Sequence, residues 1–187
     1  MANIGILAIQ GGYQAHIDKL NQLGAKTTKI TSSKELSKIS ALIIPGGESS
    51  VFLKLLDSDF KAKLIKLDIP TLSTCAGIIL LSKKVYNPSQ ESLGLLDIEV
   101  ERNAYGRQLQ SFKSKNLIWQ ESKQIADFEG IFIRAPKITS TGQNVKTLLK
   151  HNEDPVLVKQ DKHLAATFHP ELCKKDSSIH EMFLSSI

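Results

Sequence analysis

The hydrophobic pattern along the chain switches repeatedly between two periods. "IGILAI" (4–9) is an unbroken apolar run ending at Gln10-Gly11-Gly12, and such runs suit a strand buried on both faces, as in a parallel sheet. In the segment that follows, Tyr13, Ile17, Leu20 and Leu23 recur at helical spacing and Gly24 supplies a stop, which predicts a helix. "AKTTKI" (25–30) reads as a second strand. "SSKELSKIS" reads as a short helix, because Ser32 and Glu35 have capping-box spacing. "ALIIPGGESS" (41–50) is a strand running into a glycine turn, "VFLKLLDSDFKAKLIKL" (51–67) is helical, and "IPTLST" (69–74) is another buried strand. Strand and helix thus alternate through the first 80 positions, the signature of an α/β sheet with crossover helices.

The middle of the chain changes character. "LGLLDIEVERNAYGRQLQSFKSKNLIW" (93–119) alternates more and has fewer helical stretches, predicting an antiparallel excursion of hairpins on one edge. "FEGIFIRAP", "DPVLVKQ" and "KHLAATFHPEL" read as further strands, and a helix starts near Ser178. No repeat and no linker rich in Pro, Gly or Ser divides the 187 residues, so the expectation is one domain over 1–187.

Charge changes this picture little. The net charge is +5, but the lysines are scattered and no basic run reaches five residues. That describes a solvated surface rather than a nucleic-acid footprint. No apolar run reaches the 18 residues of a membrane span. The two cysteines, Cys75 and Cys173, form no CxxC pair, so a metal site and a disulfide framework are not expected, and a reducing cytoplasm fits.

The candidate chemistry lies at three strand ends. Cys75 of "STCAGIILL" falls where a strand gives way to a helix starting at Ala76. A thiol there is either a buried small hydrophobe or a nucleophile on a strand–helix elbow, where free N–H groups favour a thiolate. His169 of "FHPEL" follows an apolar run, and Glu171 stands two residues on. In an extended segment these two project to the same side, so that the carboxylate can orient the imidazole. His16, His151, His163 and His180 have no comparable setting. Gly46 and Gly47 of "PGGES" let backbone N–H groups turn toward a developing oxyanion. No GxGxxG or P-loop lysine is present, and no cofactor is expected.

Together these blocks resemble a known family. "GILAIQGGYQAH", "LIIPGGESS", "STCAGIILLSKK", "GLLDIEVERNAYGRQLQSF", "GIFIRAP" and "FHPEL" run in order along nearly the whole chain. They resemble class I (triad) glutamine amidotransferases, and among those the glutaminase subunits of pyridoxal 5′-phosphate synthase, the PdxT/SNO family. "RNAYGRQ" and "FIRAP" carry the narrower resemblance. It implies a three-layer, flavodoxin-like α/β fold with a mostly parallel central sheet. It also implies that Cys75 is the nucleophile, His169 the base and acid, and Glu171 its orienting carboxylate. Gly47, Glu48, Ser49, Arg107, Ile133 and Arg134 would line the glutamine site, and Gln10, Gly46 and Ala76 would serve the oxyanion side. The implied partner is the synthase subunit that takes up the ammonia. Ser73 departs from the family's glycine before Thr-Cys. Two other readings are a glutaminase of another pathway, such as histidine biosynthesis, and a subunit that keeps the fold without the chemistry.

Overall fold

The structure is a computed structural model that describes residues 2–102, 104, 111–120 and 128–187. In chain order its strands are β1 (Asn3–Leu7), β2 (Lys26–Ile30), β3 (Ala41–Ile44), β4 (Thr71–Thr74), β5 (Ser82–Tyr86), β6 (Leu96–Glu101), β7 (Ser111–Ser114), β8 (Leu117–Trp119), β9 (Gly130–Ile133), β10 (Lys137–Thr141), β11 (Lys146–His151), β12 (Asp154–Gln160) and β13 (His163–Ala166). The helices are α1 (Tyr13–Gln22), α2 (Ser49–Leu55), α3 (Ser58–Ile65), α4 (Ala76–Leu81) and α5 (Ser178–Leu184).

An eight-stranded sheet runs β2-β1-β3-β4-β13-β12-β11-β8. The half from β2 to β13 is parallel, and the half from β13 to β8 is antiparallel. β3 shows how the sheet is buried on both faces. Leu42 and Ile44 join the core under α2, α3 and α4, whereas Ala41 and Ile43 join the core that also holds Ile17 and Leu20 of α1 and Ile179 and Phe183 of α5. Alternate side chains of a strand project to opposite faces, so a continuous apolar run fills both cores of a three-layer α/β sandwich. Among the described residues, no helix is long and apolar enough to cross a membrane.

Three sequence expectations need correction. The helical stretch expected over 51–67 is two helices: the chain breaks at Leu56, and the Asp57 carboxylate accepts the N–H of Phe60 at 2.7 Å to start α3. That is an N-cap in mid-run. The middle of the chain is not a set of hairpins on one edge. β6 pairs in parallel with β5 and antiparallel with β10 in a separate three-stranded sheet, β7 pairs with β9, and among the described residues of this stretch only β8 reaches the main sheet, at its edge. The region 33–38 is a 3-10 helix rather than an α-helix, with the expected capping box of Ser32 and Glu35 in place, Glu35 accepting the backbone N–H of Ser32 at 2.8 Å.

Candidate active site

β4 ends at Thr74, and Cys75 turns the chain into α4 with φ +47° and ψ −109°. A side chain rarely tolerates that conformation, and such strain persists only where the surroundings enforce it. Here the Cys75 N–H donates to Ala166 O at 2.9 Å, and its carbonyl accepts from Ile78 N–H at 3.1 Å. Gly77 lets α4 sit against β3, since a Cβ there would stand 2.3 Å from Ile44 O. The buried Cys75 Sγ faces Ile133 O at 3.8 Å.

The imidazole arrives from the neighbouring strand. β13 pairs in parallel with β4, Ala166 opposite Thr74, so the chain beyond β13 emerges beside the cysteine. Phe168 anchors it, fully buried with its ring 5.7 Å from those of Phe128 and Phe132. The His169 N–H donates to Ile131 O at 2.8 Å. Residues 170–172 form a 3-10 turn, not the extended segment expected. The turn still brings the pair together, with His169 Nδ1 and Glu171 Oε1 2.6 Å apart. Burial opposes the imidazolium, but hydrogen bonds with Cys75 and Glu171 outweigh it and push His169 up to about 10. Burial likewise opposes the Glu171 carboxylate, yet His16 beside it and the hydrogen bond from His169 bring it down to about 2.

The glycine loop completes the site. Gly46 lies directly against the pair: a Cβ there would be 2.5 Å from His169 Cε1 and 3.2 Å from Cys75 Cβ. The β1–α1 turn braces this loop. Gly12 N–H donates to Gly46 O at 2.9 Å, and Gly11, at φ +82°, leaves no room for a Cβ, which would stand 2.0 Å from the same oxygen. The Gln10 side chain grips one residue of the loop at both ends, its Oε1 accepting from Glu48 N–H at 3.2 Å and its Nε2 donating to Glu48 O at 3.1 Å.

A cavity of about 280 Å³ opens over these groups. Cys75, His169, Gly46, Gly47 and Ala76 line it, together with Glu48, Ser49, Ile133 and Arg134. Gln10 is not in its wall; it sits behind the loop. Arg107 lies outside the described residues. A different arginine of the same block, Arg102, lines the cavity and ion-pairs with Glu48 at 3.1 Å. Sequence reasoning missed it because that contact spans 54 positions. It also missed His16, which is fully buried with Nε2 3.4 Å from Glu171 Oε2.

The fold is that of a glutamine amidotransferase. A solved structure titled as a glutamine amidotransferase superposes with a TM-score of 0.89 at 38% identity, covering 98% of this chain and 97% of that one. The fold alone extends to a structure of PurLQS from Thermotoga maritima, with a TM-score of 0.69 at 14% identity over 99% of both chains. Residues 6–187 match the SNO glutamine amidotransferase family, and the chain belongs to it. It is 45% identical to the pyridoxal 5′-phosphate synthase subunit PdxT of Thermotoga petrophila, over 98% of each chain. It is 46% identical to that of Koribacter versatilis, over 98% of this chain and 95% of that one.

Proposed function

We propose that this chain is a cytoplasmic glutaminase folded as one domain, which hydrolyses L-glutamine to L-glutamate and ammonia for the synthase subunit of pyridoxal 5′-phosphate synthase. The 2.6 Å contact of Glu171 with His169, which lines the cavity together with Cys75, carries the assignment of roles. The Cys75 thiolate attacks the side-chain amide carbonyl, and the oxyanion is met by backbone N–H groups of the Gly46-Gly47 loop and Ala76. The His169 imidazolium gives its proton to the departing nitrogen, so ammonia leaves and a glutamyl thioester remains. Neutral His169 then takes a proton from water, which attacks the thioester and releases glutamate and the thiol. Glu171 holds the imidazole and balances its charge throughout.

Glu48, Ser49, Arg102, Ile133 and Arg134 supply the surface for the charged end of glutamine, in which guanidinium groups suit the α-carboxylate and Glu48 the α-ammonium. Arg107 keeps its sequence-based assignment to the same task. Gln10 acts on the loop by fixing the Glu48 peptide. Two free cysteines and no membrane-length helix among the described residues support the cytoplasmic reading. The test is glutamate release by the chain alone and with the synthase subunit, for wild type and Cys75→Ala. The expected result is release by the wild-type complex, none by the variant, and labelling of Cys75 rather than Cys173 by a glutamine-like electrophile. A complex without glutamate release would favour a scaffold subunit instead.

A further inference from the structure

Behind the catalytic carboxylate lies a chain of buried imidazoles that the reaction above does not use. His16 on α1 and His180 on α5 are both fully buried, and their Nδ1 and Nε2 atoms, respectively, stand 3.0 Å apart. The other nitrogen of His16, Nε2, lies 3.2 Å from Thr74 Oγ1 and 3.4 Å from Glu171 Oε2. Glu171 Oε2 is itself buried and has no hydrogen-bond partner at normal length among the described residues. His16 Nε2 is the group aimed at it.

The geometry fixes the protons. If His16 carried its proton on Nδ1, the Nε2 lone pair would face a carboxylate oxygen at 3.4 Å, and lone pairs repel. The carboxylate therefore selects the Nε2–H tautomer, which shares its proton between Oε2 and the Thr74 hydroxyl. His16 Nδ1 is then an acceptor, so His180 must donate from its own Nε2. That leaves His180 Nδ1 as a bare lone pair, and this atom is the one with no partner among the described residues. The bare His180 Nδ1 is the end of the chain that this arrangement of protons leaves.

The charged and titratable groups around His16 agree with a neutral ring. On its own helix, Lys19 is turned away to the carbonyls of Cys173 and Asp176. His169 and Glu171 face it from the 169–171 segment, His180 from α5 and the uncharged Thr74 from β4. Burial holds both His16 and His180 below the ordinary histidine range. What His16 offers Glu171 is thus an N–H rather than a full charge.

We propose that His16, with its tautomer set by His180, is a positioning residue for glutamine hydrolysis: it holds the second oxygen of Glu171 so that the first stays aligned on His169. The proposal rests on the triad roles given above. It also makes α1 a part of the catalytic frame, because the helix that follows the Gln10 turn then touches the triad from behind.

The test is a double-mutant cycle in the complex with the synthase subunit, read as kcat and KM for glutamine. His16→Leu is expected to lower kcat roughly tenfold with KM unchanged, the order set by losing one hydrogen bond to a charged group. His16→Gln, which can present an amide N–H near the same place, should recover most of that loss. In a Glu171→Gln background, His16→Leu should change kcat less than about twofold, because the group it acts through is gone. Equal losses in the two backgrounds, or a loss that Gln does not relieve, would overturn the proposal and leave His16 as packing. Imidazole 15N spectra of the wild-type chain decide the same point without variants. They should show neutral Nε2–H tautomers for both His16 and His180 at pH 7, and an Nδ1–H or charged His16 overturns it. A wild-type complex that releases no glutamate would instead refute the functional reading, whatever the spectra show.

Discussion

Replacing Gly46 with alanine perturbs the site by one methyl group whose position is known. The backbone there is not in the left-handed region, so an alanine is not strained in itself; the conflict is with its neighbours. The new Cβ would lie 2.5 Å from His169 Cε1, and relief by about 0.9 Å moves the imidazole off both its partners, where a displacement of ~1 Å typically lowers a rate about 100-fold. The bond most exposed to this is the 2.6 Å contact to Glu171, which cannot absorb such a shift. In activation terms the loss is about 2.7 kcal/mol. Stability should change far less, by about 1 kcal/mol or under, because the imidazole borders an open cavity and can swing into it. The assay is glutamate release at saturating glutamine with the synthase subunit, alongside urea unfolding of the same samples. Gly12→Ala is the control: it borders the same cavity at φ −81°, and its Cβ would come no nearer than 3.8 Å to Glu171 Oε1. Gly46→Ala within threefold of wild type, or a Gly12→Ala loss as large as that of Gly46→Ala, would refute the reasoning.

Two other predictions concern stability. His180 is pushed down to about 3 by burial, so it stays neutral in the fold while the unfolded chain takes up a proton below 6.5; its contribution is full above pH 6.5 and is lost as pH falls toward 3. Between pH 8 and 5, wild type should therefore lose about 2 kcal/mol relative to His180→Gln in urea unfolding, and a pH-independent difference would contradict this. Ser73 is fully buried with a hydroxyl that has no partner among the described residues. Ser73→Ala should raise stability by about 1 kcal/mol, and a lower unfolding midpoint would show that the hydroxyl is satisfied after all.

What the sequence disclosed follows from how local each signal is. β1 and β3 are largely continuous apolar runs because both faces are buried, and they were legible for that reason. β5 was not, because "SKKVY" exposes Lys83 and Lys84 and follows α4 with no breaker between them. β10 and β11 carry exposed polar positions in the same way. Cys75 was legible from a turn residue between an apolar run and a helix, and His169 with Glu171 from adjacency in the chain. Arg102 and His16 were not, since each acquires its meaning only from a partner brought near by folding, Glu48 in one case and Glu171 in the other. A histidine on a short amphipathic helix looks like a polar-face residue until α5 and the 170–172 turn close over it.

The register between β4 and β13 has a further consequence. Thiol and imidazole follow the ends of two strands whose pairing joins distant parts of the chain, with His163 opposite Thr71 and Ala166 opposite Thr74. A slip of one residue would carry His169 about 3.3 Å along the strand and turn alternate side chains to the other face. The ladder of main-chain hydrogen bonds is thus the ruler that sets the distance between the proposed nucleophile and the proposed base. It also acts as a clock. A chain still emerging from synthesis holds its cysteine early but has no base to arm it until β13 has been made and has found β4. With the roles proposed for Cys75 and His169, an incomplete chain would therefore hydrolyse no glutamine until the pairing of β4 with β13 has closed the central sheet.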